Sequence, residues 1–140
     1  MSEQDERNLR EELMAAVDEK NYTNAVQKAE EMAAFYEEQG NNQKAREYWV
    51  QAARLFFEWS QSQREGRTHK NSAKSLIQAA NIFGKLNIDA EAAQAVDLAA
   101  QDLALAGNEY LVWKQPMGAS ICYCTAAILF ILVSQEEKTQ

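Results

Sequence analysis

One histidine, two cysteines and many carboxylates are what the sequence offers for covalent or proton-transfer chemistry. Their spacing suits none of it. His69 stands beside Lys70 in the polar stretch QREGRTHKN, where an exposed loop histidine is expected rather than a catalytic one. Cys122 and Cys124 are one residue apart. That spacing gives no disulfide framework, and with a single distant histidine it gives no zinc pattern. Glu30, Glu31, Glu37 and Glu38 fall on the polar side of an amphipathic stretch, a solvated face rather than a paired acid and base. There is no glycine-rich phosphate loop and no G-x-S-x-G. The expectation is a chain that is not an enzyme and takes no cofactor or metal.

Charge offers attraction instead. Residues 1–39 carry a net -7 and residues 76–140 a net -4, but residues 40–75 carry +4. The basic island centres on Arg64, Arg67, Lys70 and Lys74, with His69 among them. These four cations are the candidate contact for an acidic peptide or protein, or for an anionic membrane surface. A solvated connection between helices explains the same residues. The net charge of -7 opposes nonspecific nucleic-acid binding. No aromatic platform is interleaved with the bases to stack on single strands.

Helices must position these residues. Pro occurs once and Gly five times in 140 residues, 46% of them hydrophobic. Such a composition favours helices and leaves few turns for a β fold. The central stretch, residues 42–62, places Ala45, Tyr48, Trp49, Ala52, Leu55, Phe56 and Trp59 on one helical stripe, widened by Val50, Ala53 and Phe57. So wide an apolar arc requires cover from more than one side. Before it, helices are expected at about 3–19, with Ser2 and Asp5 resembling a capping box, and at about 23–39. After it come helices at about 70–86 and 89–106, with Asp89 as N-cap. Asn21–Asn24, Gly40-Asn41-Asn42, the region of Gly66, Leu86–Asp89 and Gly107-Asn108 are the expected breaks.

A repeat runs through this pattern. Ala33, Tyr36, Gly40, Ala45, Trp49 and Ala52 are matched 47 positions later by Ala80, Phe83, Asn87, Ala92, Val96 and Ala99. This order of small, aromatic, turn, Ala, bulky and Ala resembles the tetratricopeptide repeat over about residues 22–107. The resemblance implies an all-α fold: antiparallel helical hairpins stacked as a short right-handed solenoid, with small residues where helices touch. The family period is about 34 residues, so the surplus falls to the long central helix and the 62–72 connection. Longer hairpins of this kind are similar to those of SNAP-type vesicle-fusion adaptors. A carboxylate clamp of the family would need Lys and Asn where this chain has Glu30 and Ala34.

The C-terminal part departs from the pattern. From Gln115 to Gln135 there is no charged residue, and Ile128 to Val133 is apolar on every face. Residues 1–109 are thus expected to form the helical domain and residues 110–140 a hydrophobic C-terminal segment. A membrane anchor through residues 117–133 fits, since about 17 residues is the lower limit for a span. So does a last helix buried against the helical stack, a partner or a second copy. A strand at Ala127–Val133 is the third reading. The functional expectation is a cytoplasmic adaptor that binds a protein or peptide partner. The alternative is a tail-anchored, SNAP-like membrane component whose helical domain stays in the cytosol.

Overall fold

The computed structural model describes residues 3–112 and 116–139, with the side chains of 112, 116 and 133–139 left out of the description. Among these residues the fold is all-α. The helices are α1 (Glu3–Asp18), α2 (Tyr22–Glu38), α3 (Asn42–Glu65), α4 (His69–Lys85), α5 (Asp89–Val112) and α6 (Pro116–Thr139).

Four of the connections are the same turn. Lys20, Gly40, Arg67 and Asn87 each take a left-handed φ, between 57° and 75°. At each, the residue after it donates its N–H to a carbonyl five positions back: Asn21 to Ala16, Asn41 to Tyr36, Thr68 to Gln63 and Ile88 to Phe83. The left-handed residue itself donates three positions back, as Gly40 does to Glu37 at 3.0 Å. This is the Schellman closure, which satisfies the last carbonyls of a helix. The next helix then starts at once, so each connection is only a few residues long. Asn21 and Asn41 help by accepting the N–H groups of Asn24 and Lys44.

The 47-residue offset seen in the sequence recurs in the element boundaries. Tyr22 and Glu38 bound α2, and His69 and Lys85, each 47 later, bound α4. Asn42 and Glu65 bound α3, and Asp89 and Val112 bound α5 at the same offset. Pro116, the start of α6, lies 47 after His69. Small residues follow the offset into the interior: Ala25, Ser72 and Ala119 are buried, as are the pairs Ala52/Ala99 and Ala53/Ala100.

The chain divides into two compact units, Met1–Phe56 and Phe57–Gln140, with the boundary inside α3. In the first, Leu9, Met32, Phe35, Tyr36 and Ala45 form a core against which Tyr48 packs. The Tyr36 and Tyr48 rings stack with centroids 5.6 Å apart. Tyr36 closes that core with a polar edge: its hydroxyl donates to Glu6, and Arg10 reaches both. In the second unit α5 packs against both α4 and α6. Ala95, Ala99, Ala100, Leu103 and Ala106 supply the buried stripe of α5, and small side chains let the helix axes approach.

Several expectations need correction. α3 and α5 run on to Glu65 and Val112, so Gly107-Asn108 lies inside α5 instead of ending it. The reason is packing: a Cβ at Gly107 would stand 2.8 Å from the Tyr123 ring of α6. Glycine there makes room for a neighbouring helix rather than for a turn. The break expected at the region of Gly66 is where α3 ends, at Glu65, and within it Arg67 takes the left-handed conformation. Asp89 is the first residue of α5, one place beyond the cap. The expected cap at Ser2 lies outside the described residues. Ala127–Val133 is helical within α6, so the strand reading fails.

Candidate functional site

The polar residues that matter most in the second unit sit around one carboxylate. Asp102 projects from α5 into the interior and is 0% exposed. Arg64, near the end of α3, meets it as a fork: Nε donates to Oδ1 at 2.8 Å and Nη2 to Oδ2 at 2.9 Å. Ser72, on the inner face of α4, donates its hydroxyl to Oδ2 at 2.6 Å. His69 Nδ1 lies 3.4 Å from Oδ1, and its Nε2 lies 3.7 Å from Glu109 Oε1. Hydrogen bonding to Asp102 is the main cause that raises the Arg64 guanidinium above its ordinary value, against partial burial. His69 is therefore not the exposed loop residue expected: it opens α4, with its side chain 13% exposed. One buried anion thus ties three helices, α3, α4 and α5, through three side chains.

A groove opens beside this cluster, floored by α5 and walled by α4 and α6. Its volume is about 250 Å³. The lining is chiefly apolar, with Ala73 and Ile77 from α4, Leu103 from α5 and Ile121 and Cys122 from α6. Lys70 and Lys74 stand on the α4 wall one turn apart. A second hollow of about 280 Å³ adjoins it and shares Lys70 and Tyr110; Arg67, His69 and Glu109 are the other charged or titratable residues of its lining. The α5–α6 wall is rigidly specified by a reciprocal fit. The Tyr123 ring of α6 covers Gly107 of α5, and the Tyr110 ring of α5 covers Gly118 of α6. The Tyr123 hydroxyl also donates to Asn108.

The four cations of the basic island have different roles. Arg64 turns inward to Asp102. Arg67, Lys70 and Lys74 are exposed and line the two hollows. Among the described residues no acid pairs with any of these three. Asp102, Ser72 and the groove wall from α6 are functional or structural features that the sequence reading missed. A signal for Asp102 was present: it falls in phase with Ala95, Ala99 and Ala106 on the apolar stripe of α5, where a carboxylate requires a partner.

Among the described residues no helix is long and apolar enough to cross a membrane. The apolar run of α6 continues beyond Leu132 into side chains outside the described residues, and the expected span 117–133 ends there. No group of three potential metal ligands occurs among the described residues. No family model, curated protein or solved structure matches the chain.

Proposed function

We propose that the chain is a non-catalytic, cytoplasmic protein-interaction module of tetratricopeptide-like helical hairpins. In this reading the groove between α4 and α6 takes an acidic, partly apolar peptide segment of a partner. The observation that carries it is the pair of cations on the groove: Lys70 and Lys74 line an apolar trough with no acid among its described lining residues, and Arg67 stands with Glu109 in the adjoining hollow. An apolar floor supplies contact area, and positive charge on its wall, unpaired among the described residues, selects against basic segments and speeds encounter with acidic ones. The 47-residue recurrence of helix ends and the repeated turn support the hairpin-repeat reading. His69 and Asp102 are occupied with each other and with Arg64, which supports a structural role for them.

The test uses two labelled amphipathic peptides with the same leucine stripe, one flanked by Glu and one by Lys. Fluorescence anisotropy at low salt is expected to show binding of the acidic peptide and weak or no binding of the basic one. Lys70→Glu with Lys74→Glu should reverse that preference, and added salt should weaken binding of the acidic peptide to the parent. Equal binding of both peptides, or a preference that survives the charge reversal, would refute the reading.

A further inference from the structure

Helix α6 is built with its small side chains inward and its large ones outward. Ala119, Cys122 and Ala126 are buried. Met117, Ile121, Ile128 and Ile131 are all more than half exposed, Met117 at 78%, and Cys124 is exposed as well. The five outward positions are spaced 4, 3, 4 and 3. At about 100° per residue they fall within an arc of roughly 80°, opposite the buried stripe. Alternating spacings of 4 and 3 are the seam of a coiled coil, the pattern that one helix presents to another.

The repeat sharpens the point. Counting back 47 positions from Met117, Ile121, Cys124, Ile128 and Ile131 gives Lys70, Lys74, Ile77, Asn81 and Gly84 on α4. Counting back 94 gives Thr23, Gln27, Glu30, Ala34 and Glu37 on α2. The same face is mainly polar or small in both earlier helices and wholly apolar in α6. The inner face keeps its pattern throughout, as Ala25, Ser72 and Ala119 show. The outer face of α6 is therefore a departure from the repeat and not a consequence of it.

We propose that this seam pairs with the α6 seam of a second copy of the chain, about a two-fold axis. Three features select that occupant. The 4-3-4-3 pattern is a helix-pairing seam along α6, with Leu132 at its edge and Phe130 outside it. Residues 115–135 carry no charge, so two copies of this acidic chain meet there without like charges in apposition. With Leu132, the stripe presents an apolar patch on the order of 500 Å², near the upper end for a monomer, and a large part of the ~800 Å² per partner of a standard interface. A self-complementary patch closes as a dimer and leaves no open face.

Cys124 is the middle position of the five, so it reports the pairing directly. The full chain carrying Cys122→Ser, treated at micromolar concentration with a short bis-maleimide, should give a covalent dimer. Cys124→Ser should abolish that product. Light scattering on the untreated parent should give the dimer mass. Ile128→Glu with Ile131→Glu, both outside the groove, should weaken pairing at least about tenfold while the far-ultraviolet circular dichroism stays unchanged. Ile121 belongs to both the seam and the groove wall, so the two are separated by variants at unshared positions: Lys70→Glu with Lys74→Glu should leave the dimer intact. If the Ile double variant does not fold, the Cys124 link in the Cys122→Ser chain decides. A monomeric parent that forms no Cys124 link overturns the proposal. A parent that sediments with phosphatidylcholine vesicles instead of pairing also overturns it and assigns the face to lipid.

Discussion

Replacing Arg64 with Met removes the fork that neutralises Asp102. The carboxylate is fully buried, so it cannot turn to solvent for compensation. Two charge-assisted hydrogen bonds disappear, at 2.8 and 2.9 Å in the parent. Each such bond contributes about 1.5–3 kcal/mol, and breaking a buried pair on one side costs about 3–5 kcal/mol. The lower end applies here. Ser72 still donates at 2.6 Å, His69 stands 3.4 Å away, and the Arg64 side chain is itself 34% exposed. An expected loss of about 3 kcal/mol corresponds to a fall in melting temperature on the order of 10 °C for a chain of this size. The Arg64→Met, Asp102→Leu and double variants form a cycle to be read by urea denaturation. The double variant should be more stable than either single one, because an apolar pair leaves no orphaned charge. If Arg64→Met stays within about 0.5 kcal/mol of the parent, or if the two losses simply add, Asp102 is not held as argued.

Two further outcomes follow from backbone and packing. Asn87→Gly relieves a left-handed residue at φ 61°, a conformation that costs a side-chain-bearing residue about 1–2 kcal/mol. A gain of at most about 1 kcal/mol is expected in denaturation, since Asn tolerates this region better than most residues and Gly adds freedom to the unfolded chain. A loss would show that the Asn87 side chain matters more than its φ. Gly107→Ala drives a methyl to 2.8 Å from the Tyr123 ring and should destabilise by about 1–3 kcal/mol. Tyr123→Ala in the same chain should remove the clash, and a Gly107→Ala variant as stable as the parent would mean that α6 does not sit on α5 as described.

The elements were legible because amphipathic period and turn chemistry agreed. Ala52, read from the central stripe, and Phe83 and Ala99, read from the repeat, are all buried. The ends of α3 and α5 were less legible, for a physical reason. Glycine means left-handed φ at Gly40, where nothing lies within 4 Å of a Cβ, and close helix approach at Gly107, where an aromatic ring does. One letter serves two constraints, and local sequence does not distinguish them. Trp49 shows the same limit. It lies on the central stripe, yet it is only half-buried and its indole N–H donates to Glu37 at 2.6 Å. Its position on the stripe was readable, but the depth of its burial was not.

The basic island shows why charge in a sequence has to be sorted by phase before it is read as a surface. Arg64 follows Ser60 by four residues and Phe57 by seven, on the side of α3 where Ser60 is buried. Asp102 is in phase with the buried alanines of α5. Opposite charges that are each in phase with an apolar stripe are candidates for one another, and these two meet as a fork. Lys70 and Lys74 lie out of phase with Ser72, Leu76 and Ala79, which α4 buries. They stay exposed, line the groove and find no acid among the described residues. The same argument applied to α6 separates Ala119, Cys122 and Ala126 from Met117, Ile121 and Ile128. On α4 the outward phase carries positive charge, and on α6 it carries large apolar side chains. The two proposed binding surfaces are thus equivalent positions of one repeat, given different chemistry 47 residues apart.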